Sequence, residues 1–86
     1  MYKIKHTTKF KRDLKKIMHK QNYKDEFKEV VSKLQNWEIL EEKYQNHPLK
    51  WKYNWFMECH IKPDLLLIYR YNENENNIVF TKIMKP

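Results

Sequence analysis

The sequence predicts one α+β domain over residues 1–86, in the order β-α-α-β-β-β, with a helical hairpin packed on a mainly antiparallel sheet. Three observations predict this class. Two segments in the first half carry apolar residues at helical spacing. The stretch from His47 to Tyr71 alternates like a strand and then turns a corner, and the run after the corner is apolar at every position.

The first half of the chain predicts a strand and two helices. Residues 1–6 alternate around Ile4 as a strand does, and Thr7 or Thr8 can cap the helix that follows. Asn22 and Asp25 resemble a capping box that would open the second helix. The two apolar stripes, which we expect to cover one face of the sheet, are Phe10, Leu14, Ile17 and Met18, then Phe27, Val30, Val31 and Leu34.

The second half predicts a hairpin and a last strand. Cys59 and Ile61 fall on one face of the strand over residues 53–62, and Glu58 and His60 fall on the other. Pro63 cannot donate to a ladder, so residues 62–64 should form the corner. Residues 65–69 read as a strand that is buried on both faces. A polar loop over residues 72–77 leads to the last strand, over residues 78–83.

The positive charge is concentrated at the N-terminus. Residues 1–20 carry eight lysines and arginines against Asp13 alone, a net of +7, and residues 21–86 carry ten charges of each sign. Such a cluster favours a polyanion such as nucleic acid, although a solvated helix face would look the same. The candidate RNA-binding residues are Lys9, Lys11, Arg12, Lys15 and Lys16, together with Lys50 and Lys52.

Several classes of function are excluded by what the sequence lacks. No apolar stretch is long enough to span a bilayer, so we expect no membrane association. The single cysteine, Cys59, cannot form an internal disulfide, which fits a cytoplasmic protein, and its place in the alternation predicts a core thiol. The chain has no glycine, so it has no glycine-rich phosphate loop, and its turns should use asparagine, proline or φ below zero. None of the four histidines has zinc-ligand spacing, and we expect neither metal nor cofactor.

Two motifs in the second half resemble a known family. Residues 47–50 read His-Pro-Leu-Lys, and residues 58–64 read Glu-Cys-His-Ile-Lys-Pro-Asp. In combination these motifs are similar to the YafQ branch of the RelE/ParE toxin superfamily, and the likeness extends over nearly the whole chain. The resemblance implies a RelE-like fold and the toxin of a bacterial type II toxin–antitoxin pair, which forms a hetero-oligomer with its cognate antitoxin protein. It also implies metal-independent cleavage of mRNA on the ribosome, through attack of a 2′-hydroxyl on the adjacent phosphate.

The resemblance further implies a catalytic set. The matching residues are His60, His47 and Asp64, with Lys82 standing where the family usually has arginine. Histidine suits proton transfer because its ordinary pKa, about 6.5, lies near working pH. Read without the resemblance, His60 is better explained as a structural strand residue bonded to Asp64 or Glu58. His47 could equally be a loop residue, and Asp64 fits a turn carboxylate.

The sequence also departs from the family. Trp51 and Trp55 replace two glycines, Met57 replaces an arginine, and Pro86 stands where the second catalytic histidine would be. Two alternatives therefore stay open: an endoribonuclease weakened by its altered C-terminal motif, and a toxin-fold protein that binds an antitoxin, RNA or the ribosome without cleavage. A ParE-like inhibitor of gyrase is a third possibility, but the histidines of the hairpin favour the ribonuclease branch.

Overall fold

The computed structural model describes residues 1–49 and 56–85. It confirms the predicted class: two helices pack on a mostly antiparallel sheet, which has five strands within those residues. The helices are α1 (Thr8–Ile17) and α2 (Gln21–Gln35). The strands are β1 (Lys3–His6), β2 (His47–Pro48), β3 (Met57–Lys62), β4 (Leu65–Asn72) and β5 (Asn77–Met84). Short 3-10 turns lie at Glu42–Tyr44 and Glu73–Glu75.

The sheet has the order β1-β5-β4-β3-β2. β1 pairs with β5 in parallel, with Lys3 opposite Asn77, and the other neighbours are antiparallel. The last strand is therefore internal, and it joins the first strand to the central hairpin. β2 has only two residues. The sequence did not predict it, because a two-residue strand has no periodicity to detect.

The core lies between the helices and one face of the sheet. Phe10, Ile17, Phe27, Leu34 and Leu67 are buried there as predicted, with Leu14 and Val31 packed at its margin. Ile68 is also buried but is not part of that cluster, because alternation along β4 points it to the opposite face of the sheet from Leu67. Further core residues from the strands and the turn after α2 are Tyr44, Cys59, Ile61, Tyr69, Ile78 and Phe80.

The N-terminal ends of the helices confirm one prediction and correct another. Thr7 caps α1, with its Oγ1 accepting a hydrogen bond from the Phe10 N–H at 3.0 Å. The capping box predicted at Asn22 is wrong: α2 begins at Gln21, after Lys20, which makes no side-chain cap. Asp25 accepts instead from Gln21 Nε2 at 2.7 Å, a contact between neighbouring turns of the helix.

Among the residues that the structure describes, three have positive φ: Trp37 at 62°, Gln45 at 45° and Asn76 at 53°. Asparagine was expected in such a place, but tryptophan and glutamine were not, since the left-handed conformation disfavours long side chains. Trp37 ends α2 in a Schellman motif. Its N–H bonds to the Leu34 carbonyl at 3.4 Å, and the next N–H, of Glu38, bonds to the Lys33 carbonyl at 2.9 Å. Within residues 1–49 and 56–85, no helix has the length and apolar content needed to cross a bilayer.

Candidate active site

Strand β3 separates a core face from an open face. Cys59 and Ile61 are buried against the helices, so Glu58 and His60, which alternate with them, point to the opposite side of the sheet. His60 is partly exposed and lies opposite Leu66 of β4. Among the described residues it has no hydrogen-bond partner, so neither structural bond considered from the sequence, to Glu58 or to Asp64, is formed.

His47 is held by two acceptors. It lies opposite Glu58 in the β2–β3 ladder, and its Nε2 is 3.3 Å from Glu58 Oε1. Its Nδ1 is 2.5 Å from the carbonyl oxygen of Gln45. A carbonyl and a carboxylate both accept hydrogen bonds, so only a ring protonated on both nitrogens satisfies the two at once. His47 is therefore an oriented strand residue and not a loop residue.

Glu58 was not predicted as a site residue. Its side chain is 18% exposed and contacts His47, which is 44% exposed. The alternation of β3 places Glu58 and His60 on one face, and that signal was available in the sequence. The pairing with His47 was not available, because it depends on a cross-strand register between residues that are far apart along the chain.

One cross-strand row contains two of the four predicted catalytic residues, His47 and Lys82. His47 is opposite Glu58, Glu58 is opposite Ile68, and Ile68 is opposite Lys82. Directly opposite residues of a sheet point to the same face, so the four side chains share the open face and span three strand spacings, about 14 Å between backbones. By alternation His60 belongs to the same face, two residues along β3 and about 7 Å from that row. At the edge of the sheet it also borders a cavity of about 240 Å³ with Glu26 of α2 and Tyr44.

Lys82 lines a cavity of about 220 Å³ on this face, together with Phe56, Ile68 and Thr81. Thr81 is an extra residue in β5, because Ile68 pairs with Lys82 and the next residue, Tyr69, pairs with Phe80. A bulge of this kind redirects the side chains that follow it, and here it places Ile83 in the core and Lys82 on the open face.

Asp64 does not join the row. It lies in the exposed turn between β3 and β4, and it accepts a hydrogen bond of 2.5 Å from the hydroxyl of Tyr23 in α2. That bond holds the pKa of the Asp64 carboxyl below its usual value. The bond between Asp64 and His60 that the structural reading of the sequence allowed is not formed, because the turn at Pro63 and Asp64 directs the carboxylate to Tyr23 on the helix side of the sheet.

The predicted RNA-binding cations lie elsewhere. Four of them are exposed on α1: Lys11, Arg12, Lys15 and Lys16. Lys9 is exposed too, but its Nζ is 2.7 Å from the Asp13 carboxylate, so part of its charge is neutralised. α1 packs against β5 on the core face, so these cations border the sheet on the side away from the row. Lys50 and Lys52 lie outside the described residues, as do Trp51, Trp55 and Pro86.

Two other cations share the open face and were missed by sequence reasoning. Arg70 of β4 lies opposite Val79, which lies opposite Lys5 of β1. Arg70 is two residues after Ile68 in β4, so the alternation of the strand places it on the same open face. Lys5 shares that face because directly opposite residues of a sheet point to the same side. Arg70 is partly exposed and makes no ion pair with another residue of the described ranges. It offers a free guanidinium, the group that binds phosphate in a bidentate manner.

Cys59 is not a nucleophile in this arrangement. It is fully buried, and burial raises the pKa of its thiol to about 12. The reactive thiolate is therefore negligible at neutral pH, which confirms the prediction of a core thiol.

Comparison with known proteins decides the family. The family model described as the bacterial toxin of type II toxin–antitoxin systems, YafQ, matches residues 2–84. The chain belongs to the YafQ toxin family. A metal-bound toxin from Helicobacter pylori is 35% identical with a TM-score of 0.90, over 99% of this chain and 94% of that one. A search of curated proteins found no match.

More distant YafQ structures share the fold. YafQ from Escherichia coli is 22% identical, with a TM-score of 0.83 over 99% of this chain and 93% of that one. The E. coli DinJ–YafQ complex gives the same identity, TM-score and coverage. The fold and the toxin family inferred from residues 47–50 and 58–64 are thereby confirmed.

Proposed function

We propose that this YafQ-family toxin is a ribosome-dependent endoribonuclease that cuts mRNA at the row formed by His47, Glu58, Ile68 and Lys82. The observation that supports the proposal is the gathering of two histidines and two cations, Lys82 and Arg70, on one sheet face. Cleavage by a 2′-hydroxyl needs a base, an acid and positive charge near phosphorus, and these side chains are of the types required.

In the proposed reaction His60 acts as the base. Its ring has no partner within the described residues, so a nitrogen is available to take the proton of the 2′-hydroxyl. The 2′-oxygen then bonds to phosphorus, and the bond from phosphorus to the 5′-oxygen breaks. His47, whose ring lies between the Gln45 carbonyl and the Glu58 carboxylate, acts as the acid and gives a proton to the leaving 5′-oxygen. The products are a 2′,3′-cyclic phosphate and a 5′-hydroxyl.

Lys82 and Arg70 supply the charge that stabilises the phosphorane. Lysine lacks the bidentate fork of arginine, so Lys82 alone should stabilise the transition state less well than an arginine would. The unpaired guanidinium of Arg70, on the same face, offsets part of that loss. Asp64 stays a proposed site residue. Because it is bonded to Tyr23 in the β3–β4 turn, it would contact RNA at the edge of the site.

A metal is not part of the proposed reaction. The H. pylori relative is described as metal-bound. Within residues 1–49 and 56–85, no group of three or more histidine, cysteine, aspartate or glutamate side chains is arranged to hold a metal ion. The proposed steps use side chains of the chain only.

The test is primer extension on mRNA bound to translating ribosomes. Removing a positioned base typically costs about 10² to 10⁴ in rate, so His60→Ala should cut at least a hundredfold more slowly than the wild type. His19→Ala is the matched control, because His19 is exposed beyond the end of α1 and should cut at the wild-type rate. Equal rates for wild type and His60→Ala would refute the proposed site.

Lys82→Arg refines the same assay, and the variant should cut faster than wild type.

The alternative function is a toxin that binds without cleavage, and the turning of Asp64 away from His60 favours it. An inert wild type that is activated by Lys82→Arg, combined with Pro86→His, would establish that alternative.

We also infer a protein partner. The E. coli relative is described in complex with DinJ. Here the exposed cations of α1 suit an acidic, partly disordered antitoxin segment that folds on binding. Co-expression with the small protein encoded immediately upstream, followed by affinity purification, should recover a complex. Purification of this chain alone from a growing culture would contradict a potent toxin.

A further inference from the structure

Two large apolar side chains are exposed just after α2. Trp37 is 61% exposed and Ile39 is 94% exposed, in a chain whose mean hydropathy is −1.02. A single exposed apolar residue needs no explanation, but a cluster beside a groove marks an interaction site. These two residues border a groove of about 300 Å³, which we call the Trp37 groove.

The walls of the Trp37 groove are aromatic. The Tyr2 ring lies 5.8 Å from Trp37, edge to face, and 5.2 Å from Tyr71 on its other side. Leu34 of α2 lies at its base. The Schellman motif fixes the backbone of Trp37 at φ 62°, a conformation that disfavours bulky residues. The helix end thus sets the Trp37 backbone, and the contact with the Tyr2 ring orients the indole without a partner, which favours binding.

The charges at the groove are acidic. Glu38 lines it, and Glu73 accepts a 2.7 Å hydrogen bond from the hydroxyl of Tyr2. No lysine or arginine lines the groove within the described ranges. Aromatic side chains can stack on RNA bases, but these carboxylates would repel the phosphates. A second copy of the chain packed symmetrically here would oppose Glu38 to itself. The charges therefore select a polypeptide that carries a cation.

We propose that the Trp37 groove is a second docking site for the antitoxin, and that it binds an apolar side chain flanked by lysine or arginine. This inference rests on the proposed function, which supplies the antitoxin. The two surfaces would bind segments of opposite charge: α1 binds an acidic segment of the antitoxin, and the groove binds an apolar segment that carries a basic residue. An antitoxin bound at both surfaces would be held by two linked interactions, which raises its effective concentration at each.

The test measures binding of the upstream-encoded protein to the full chain by isothermal titration calorimetry. Ile39→Lys removes the apolar side chain and adds a charge that repels the expected cation, whereas Ile39→Glu removes the apolar side chain and keeps the favourable sign. We expect at least tenfold weaker binding for Ile39→Lys and a smaller loss for Ile39→Glu. Ile4→Lys is the matched control: Ile4 is 39% exposed on β1, away from the groove. It should stay within twofold of wild type.

The outcomes separate the groove from the proposed function. If wild type binds the upstream protein and Ile39→Lys binds equally well, the groove is not a docking site and the toxin assignment stands. A similar loss for Ile4→Lys, or a stronger loss for Ile39→Glu than for Ile39→Lys, would also overturn the groove. If wild type does not bind at all, the proposed antitoxin fails and the groove falls with it. If the wild type self-associates and Ile39→Lys does not, the groove binds a second copy of the chain instead.

Discussion

At the scale of the residue, Asp13 shows how a count of charges can conceal a structural role. The sequence presents it as the one acidic residue among eight cations, yet it is only 7% exposed. Its Oδ2 accepts from the backbone N–H of Ile83 at 3.1 Å, and its Oδ1 is 2.7 Å from Lys9 Nζ. The β1–β5 ladder ends at Phe80, so the Asp13 carboxylate satisfies an N–H of β5 that lies beyond it.

We predict that Asp13→Ala lowers the free energy of unfolding by about 2–3 kcal/mol, because a charged hydrogen bond is removed and a buried N–H is left unpaired. Asp13→Asn should have a smaller effect, since its amide oxygen can still accept from Ile83. Urea unfolding at neutral pH measures both. Asp25→Ala is the control, because Asp25 is exposed, and its effect should stay within about 0.5 kcal/mol.

The same carboxylate makes stability depend on pH. Burial opposes ionisation of Asp13, but the hydrogen bonds from Lys9 and Ile83 and the charges of Lys9 and Lys16 outweigh it and hold its pKa below the usual 3.8. A folded pKa below the unfolded one adds stability above pH 3.8, and that stability is lost as the pH falls through the folded value. The difference in unfolding free energy between wild type and Asp13→Ala should therefore shrink from pH 6 to pH 3. A constant difference would contradict the ion pair.

Single residues mark the limit of what the sequence predicts at the site. Residue type and strand alternation place His60 on the open face, and the His-Pro-Leu motif singles out His47. The partners of these residues depend on distances across the fold: Glu58 reaches His47 through the β2–β3 register, and Asp64 reaches Tyr23 across the sheet and helix layers. Neither pairing leaves a periodic trace in the sequence.

At the scale of the element, the N-terminus of α1 is tied to both a helix and a strand. Thr7 Oγ1 caps the helix and also donates a 2.5 Å hydrogen bond to the Thr81 carbonyl of β5. We predict that Thr7→Ala lowers the unfolding free energy by about 1–2 kcal/mol, the usual effect of removing a cap. Thr8→Ala should change it by less than about 0.5 kcal/mol, because Thr8 is exposed and is not the cap. Thermal or urea unfolding compares them, and equal effects would refute the capping role.

The basic face of α1 makes a prediction about salt. Replacing Lys11 and Lys15 by glutamine should weaken binding to ribosomes and flatten the dependence of log affinity on log salt concentration. The slope should fall by about 1.4 to 1.8, at about 0.7 to 0.9 for each phosphate that a lysine no longer neutralises. The matched control replaces Lys24 and Lys28 of α2, which removes the same charge elsewhere. If both pairs act alike, net charge alone drives binding and α1 has no special role.

Helices and long strands were predictable as elements because their periodicity extends over several residues. The start of α2 was not, since Asn22 and Asp25 fit a capping pattern that the chain does not use. Strand β2 was not, since two residues carry no period. The positive φ of Trp37 and Gln45 was not predictable either. Both residue types disfavour the left-handed conformation, and the helix or turn that each one ends imposes it.

At the scale of the whole molecule, the ends of the chain and both helices share one core. We predict a single cooperative unfolding transition, as expected of one domain of this size. Midpoints in urea from far-ultraviolet circular dichroism, which follows the helices, and from tryptophan fluorescence should coincide. Two separated midpoints would show that the helical hairpin and the sheet are independent units.

The internal position of β5 has a consequence for the timing of synthesis. Residues 3–6 leave the ribosome first, but their only partner in the described sheet is residues 77–80, and such distant pairings form slowly. The same strand carries Lys82 and completes the row with Ile68. Under the proposed function, a nascent chain that lacks β5 has His47 and His60 but not the complete row. The proposed site would then form only after Lys82 has left the ribosome, which leaves an interval in which an antitoxin already present could bind first.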